Sequence, residues 1–205
     1  MLSNKRNLLF VFATILSVLL VACGTTADES SESVDLSQVF TYVDELGATV
    51  SIDYPDGWSA EDANGSAGFA STEELLVQAQ SSDLPNVGSG EVVAISLALP
   101  SEMVSFMIED GEEVSATGLA NSFVTNLVDT EGTVGDVEEI TLGEQSAAVV
   151  QATQGVVDIV LVTIDLGEGN YALVFGATAQ GEGDSIRATI EAMASSIDYT
   201  VAESE

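Results

Sequence analysis

Between residues 36 and 199, apolar side chains recur at every second position in some stretches and every third or fourth in others. Each change of rhythm marks an element boundary. Residues 39–43 and 49–54 alternate on either side of Asp44-Glu45-Leu46-Gly47, which predicts a β-hairpin. Pro55-Asp56-Gly57 breaks the second strand, and Trp58 follows, read as a core plug with a ligand platform as the alternative. Residues 91–99 read as a further strand, with the short segment 67–71 paired beside it. Ser71 and Glu74 stand at capping-box spacing ahead of Leu75 and Leu76, so 72–79 is expected to form a short helix. A second helix is predicted over 117–129, with Leu119, Phe123, Val124 and Leu127 on one face.

The later half is more regular. Residues 138–142, 147–153, 156–165 and 171–178 read as four successive antiparallel strands, separated by Gly143, Gly155 and the Gly167-Glu168-Gly169-Asn170 turn. The run 156–166 is interrupted only by Asp158, Thr163 and Asp165, the pattern of a central strand covered on both faces. Asp184 then stands as the cap of a helix in which Ile186, Ile190, Met193 and Ile197 follow one stripe, and that helix is expected to lie on the sheet. The expected fold class is α+β, an antiparallel sheet flanked by helices, in one domain over 36–200. About 165 residues suffice for a single core. From Thr200 onward the chain reads as frayed, and 201–205 as a disordered tail.

The chain opens differently. Lys5 and Arg6 precede an apolar run over 8–22, closed by Leu20-Val21-Ala22-Cys23. A membrane-spanning helix needs roughly 20 apolar residues to cross ~30 Å of hydrocarbon, and this run falls short. The order of charge, apolar run, small residue and cysteine resembles a bacterial lipoprotein export signal, alongside which an uncleaved anchor and an ordinary secretory signal stay open. The resemblance implies a signal peptide over 1–22, an acyl-carrying Cys23, and localisation to the cell envelope, lipid-anchored on the extracytoplasmic face of a bacterial membrane. Two or three acyl chains, at ~0.8 kcal/mol per buried methylene, hold a protein stably where one does not. Residues 23–35, rich in Ser, Thr and acid, then read as a flexible tether.

Charge narrows the partners. The chain holds 34 Asp and Glu against three Lys and Arg and no His. Loss of Lys5 and Arg6 with the leader moves the formal charge from −31 to −33 and leaves Arg187 as the one side-chain cation. Phosphate backbones are bound by neutralising them with Lys and Arg, so nucleic acid is excluded as a partner. Anionic headgroups repel such a domain, which leaves anchoring to acyl chains on Cys23.

The residue inventory excludes much chemistry. Without histidine there is no Ser-His-Asp or Cys-His system and no imidazole base, and without lysine beyond Lys5 there is no Ser-Lys pair or Schiff base. A single cysteine builds no disulfide and no zinc-thiolate centre. Carboxylate chemistry remains: a glycosidase pair is open to any two of the 34 acids, with no motif to select them. Asp129-Thr130-Glu131-Gly132 departs from an aspartic-protease loop by an inserted residue. None of the glycine pairs at 88–90, 167–169 and 181–183 has the lysine and helix start of a phosphate loop. Glu109, Asp110, Glu112 and Glu113 form the densest oxygen-ligand cluster, for which Ca2+ is the fitting ion. They lack the alternating spacing of an EF-hand, and a turn between elements explains them as well. The expectation is a non-catalytic domain that binds a protein or envelope component. A divalent-cation-binding or salt-adapted module and, lastly, a carboxylate hydrolase are the alternatives.

Val50-Ser51-Ile52-Asp53-Tyr54-Pro55-Asp56-Gly57-Trp58 resembles the strand ending in Tyr-Pro-x-Gly-Trp of proteins with the PsbP and Mog1 fold. The later order is similar too: Glu139-Ile140-Thr141-Leu142-Gly143, then Ala147-Ala148-Val149-Val150, then residues 171–175 and a closing helix ending Ser195-Ser196-Ile197. The resemblance spans 36–200 and implies an α/β/α sandwich, often carried by bacterial lipoproteins without assigned activity. Relatives in photosynthesis and nuclear transport bind proteins or ions. The basic and histidine positions they use have no counterpart here.

Overall fold

The computed structural model describes residues 34–79, 86–104, 114–128 and 132–201. The hairpin expected at the start is present: β1 (Leu36–Val43) runs antiparallel to β2 (Thr49–Pro55), with Val39 opposite Asp53 and Val43 opposite Thr49. Its turn is closed by the buried Asp44 carboxylate, which accepts the amides of Leu46 and Ala48 at 2.9 and 2.8 Å. A short strand near the C-terminus, β11 (Asp198–Thr200), pairs with the other side of β2 and completes a three-stranded sheet.

The remaining strands form one larger antiparallel sheet. In chain order they are β3 (Ser59–Asp62), β4 (Ser66–Ala70), β5 (Val92–Leu99), β6 (Thr133–Val134), β7 (Glu138–Leu142), β8 (Gln145–Gln154), β9 (Val157–Gly167) and β10 (Asn170–Ala179). In space the order is β3-β4-β5-β10-β9-β8, with β6 and β7 dividing the outer side of β8 between them. The hairpins β8-β9 and β9-β10 place β9 near the middle, as its almost unbroken apolar run requires.

Alternation along these strands supplies two cores. Val160, Val162 and Ile164 of β9 face one side with Ala172 and Val174 of β10, whereas Ile159, Leu161, Leu173 and Ala177 face the other. On the first side lies α4 (Gly183–Ser195), whose Ile186, Ile190 and Met193 are buried together with Ile197 just beyond it. The small sheet closes that core with Tyr42, Val50 and Ile52. On the second side lies α3 (Ala116–Leu127), capped by Ser115, whose hydroxyl accepts the Gly118 amide at 3.0 Å. The short α1 (Glu73–Ala79) covers a third, smaller cluster with Leu75 and Leu76, and α2 (Ser101–Val104) follows β5. The fold is α+β, a mostly antiparallel sheet with helices on both faces.

Several local expectations are corrected. Ser71 does not cap α1: its hydroxyl accepts the Val92 amide, and Thr72 accepts from Leu75 instead. Leu127 is 39% exposed, because the buried stripe of α3 runs through Ala116, Leu119, Ala120 and Val124. Thr200 is no frayed end but pairs with Thr49. Trp58 is half-buried against the larger core, and its amide bonds the Pro55 carbonyl across a turn in which Gly57 has φ +79°.

Candidate functional site

The short strand β6, the β8-β9 hairpin and the start of α4 converge on a cleft of about 380 Å3, lined by Thr133, Gly135, Gln151, Asp158, Gly181 and Asp184 among others. A smaller hollow of about 170 Å3 continues it past Gln151 to Asp136, Glu138 and Arg187. A hydrolase would need two carboxylates facing one cleft, and Asp158 and Asp184 both line this one, so the partners of each acid decide what the cleft can do.

Asp158 sits second in β9, opposite Thr153 of β8 and Thr178 of β10. Its Oδ1 accepts the Thr153 hydroxyl at 2.9 Å, and its Oδ2 accepts the amides of Gly181 and Gly183 at 2.7 and 3.2 Å. The Gly183 amide opens α4 and that of Gly181 lies just before its cap residue, so a carboxylate from the sheet satisfies one orphan donor of the helix start, fixes the turn that leads into it and complements its dipole. Asp184, expected to be the cap, stands instead in the first turn and accepts from the Gln151 side chain at 3.1 Å. At Gly183 an added Cβ would lie 3.3 Å from the Asp158 Cβ, so the missing side chain permits the close approach.

Glu182, at the cap position itself, reaches away from the cleft. Its carboxylate accepts the Ser89 hydroxyl and the Gly90 amide at 2.8 Å, which ties the loop before β5 to the helix start, and the Thr178 hydroxyl, which donates to the Glu91 carbonyl at 2.9 Å, stands 3.3 Å from it. The Ser89 hydroxyl, then the Gly90 amide, hold its carboxyl below the usual glutamate range.

Arg187, one turn into α4, bridges two elements. Its Nη2 lies 2.7 Å from Glu138 of β7 and its Nε 2.7 Å from Glu191 one turn on. The bond from the guanidinium lowers the Glu138 pKa, and the same bond raises that of Arg187. The one cation of residues 34–201 is therefore held in a two-armed clamp between sheet and helix.

Among the described residues no three Asp, Glu, Cys or His side chains stand close enough to share a metal ion, and every buried side-chain polar atom has a hydrogen-bond partner. Glu109, Asp110, Glu112 and Glu113 lie outside the described residues, as does Cys23 with the whole segment 1–33. No described helix is long and apolar enough to cross a membrane. The joints at Asp158, Glu182 and Arg187 form between elements 25 to 92 residues apart, and in the sequence only Asp158 carries a signal, as a charge that interrupts an apolar strand.

Neither a family profile nor a curated protein sequence matches this chain. Among solved structures, the chain is similar to the cyanobacterial PsbP (CyanoP) of Synechocystis sp. PCC 6803, at 15% identity over 86% of this chain and 98% of that one, with a TM-score of 0.46. It is also similar to LpqN, involved in cell envelope biogenesis of Mycobacterium tuberculosis, at 16% identity over 80% and 91% of the two chains, TM-score 0.45. A Bacteroides thetaiotaomicron protein matches at 12% identity over 83% of this chain and 51% of its own, TM-score 0.43. The likeness concerns the arrangement of the chain alone.

Proposed function

We propose that this chain is an extracytoplasmic lipoprotein, anchored through acyl groups on Cys23, whose globular domain works by binding a protein or envelope component and not by catalysis. The observation that carries the non-catalytic reading is the commitment of the cleft's acids. Asp158 holds two backbone amides, Asp184 a glutamine and Glu138 the guanidinium. A general acid or nucleophile must exchange partners during turnover, and here an exchange by Asp158 would uncap the helix that covers the core. The anchoring reading rests on Leu20-Val21-Ala22-Cys23.

Labelling with an alkyne-bearing palmitate in a bacterial host tests the anchor. The full chain is expected to take up label and partition into detergent, and Cys23→Ser to do neither. Label retained in the serine variant would overturn the assignment. On the catalytic side, turnover of a sugar or ester substrate abolished by Asp158→Asn, in a protein that keeps its fold, would overturn the binding reading.

A further inference from the structure

Sheet edges offer unpaired amides and carbonyls, and natural proteins blunt them with charges, proline or brevity. Among the described residues most edges of this domain are blunted. β3 has four residues and ends in Glu61-Asp62, β6 has two, β7 opens with Glu138-Glu139, and β11 has three including Asp198. The exception is β1, eight residues reading Leu-Ser-Gln-Val-Phe-Thr-Tyr-Val without a charge or a proline, at the end of the three-stranded sheet. Val39 and Val43 on its outer face are 65% and 53% exposed, and Leu46 in the adjoining turn 55%. On its inner face Phe40 is half-buried, edge-on to Phe69 with ring centroids 5.9 Å apart, so a strand laid alongside would find apolar contacts on both faces.

Charge decides what that strand is. Asp35 and Glu45 stand exposed at the two ends of β1, and Asp53 is the cross-strand neighbour of Val39 on the outer face. In an antiparallel pair of two copies, Asp35 of each would meet Glu45 of the other, and like charges across a ladder are destabilising. We propose that β1 is a docking edge for an extended segment of another polypeptide, one that alternates apolar residues with lysine or arginine, added as a fourth strand beside Leu36–Val43. The inference deepens the binding role proposed above, and rests on it for the existence of a partner.

The probe is a capped octapeptide of alternating valine and lysine, titrated into the full chain in detergent while amide hydrogen exchange is followed. Binding is expected to slow exchange at the alternate amides of residues 37–43 that point away from β2, the others being bonded to β2 already. Placing prolines at two central valines, or making the double substitution V39K/V43K, should weaken affinity about tenfold or more, since one removes ladder donors and the other repels the cation. Circular dichroism checks that the variant keeps its fold, and the exchange map of the unaltered protein stands whether or not it does. Equal affinity for the proline peptide would reduce the effect to bulk charge and overturn the proposal. So would absence of binding, protection away from β1, or protection that rises with protein concentration without peptide, which would assign the edge to a second copy. Failure here with label still on Cys23 sinks the docking edge and leaves the anchor standing.

Discussion

A half-buried carboxylate in the second position of a central strand has lost part of its water and finds compensation in the protein. Asp158 finds it in two amides and a hydroxyl, and in doing so it joins β9, the β8-β9 hairpin and the start of α4 at one point. The other polar interruptions of the same strand act alike. Thr163 is fully buried and donates to the Ala116 carbonyl at 2.7 Å, seating the first turn of α3, while Asp165 accepts the Gly167 amide at 2.8 Å and shapes the turn into β10. Removal of the Asp158 carboxylate leaves the Gly181 and Gly183 amides unpaired. Asp158→Ala is expected to cost about 1–2 kcal/mol in urea unfolding, and Asp158→Asn, which keeps one acceptor oxygen, distinctly less. Equal stability of all three proteins would show that water serves the helix start as well as the carboxylate does.

At the scale of elements, α4 approaches the sheet where β10 has no side chain. A Cβ at Gly176 would lie 2.5 Å from Cδ1 and 2.6 Å from Cγ1 of Ile190, both closer than packed carbons approach. Gly176→Ala should therefore destabilise by about 1–3 kcal/mol through overpacking. Combined with Ile190→Ala, which vacates the space, the double variant should be more stable than the two separate costs add up to, and strict additivity would refute direct contact. Nothing in the sequence distinguishes Gly176 from any glycine in a strand. By contrast, β1, β2, β5 and β7 to β10 were legible, because each carries five or more residues in an alternating or nearly unbroken apolar pattern bounded by turn residues, which needs no knowledge of the partner. β3, β6 and β11, at four, two and three residues, are too short to carry a period, and their pairing depends on strands placed by the rest of the fold. The capping assignments failed for a related reason. Ser71 and Asp184 stand at good local spacing, but Val92 and Gln151 from other strands claim their oxygens, and Asp158 reaches α4 from 25 residues away. Sequence spacing shows only local competitors for a hydrogen bond. The cleft was illegible for the same reason, since its walls come from β6, the β8-β9 hairpin and the start of α4.

For the molecule as a whole, 34 acids against three cations set a long-range repulsion that every local bond must withstand. Among the described residues Arg187 offsets it at one place, against Glu138 and Glu191. Screening shortens the reach of the repulsion from ~8 Å at physiological ionic strength to ~3 Å at 1 M. Salt also weakens the Arg187 pairs, but these are two attractions set against a surface of like charges, so the net effect of salt must be stabilising. The melting temperature is expected to rise by roughly 5 °C between low and ~1 M sodium chloride, the shift that ~1–2 kcal/mol produces in a domain of this size. Chloride is the anion of choice, because sulfate strengthens apolar burial on its own account. Magnesium and calcium chloride at matched ionic strength separate diffuse from specific binding. Screening alone gives the two ions equal shifts, whereas an excess for calcium would indicate a built oxygen site, for which Glu109, Asp110, Glu112 and Glu113 supply the densest ligands in the sequence. A melting temperature that stays flat from low to molar chloride would mean that the acids are too dispersed to oppose folding, and the charge would then matter only for solubility and for the choice of a cationic partner.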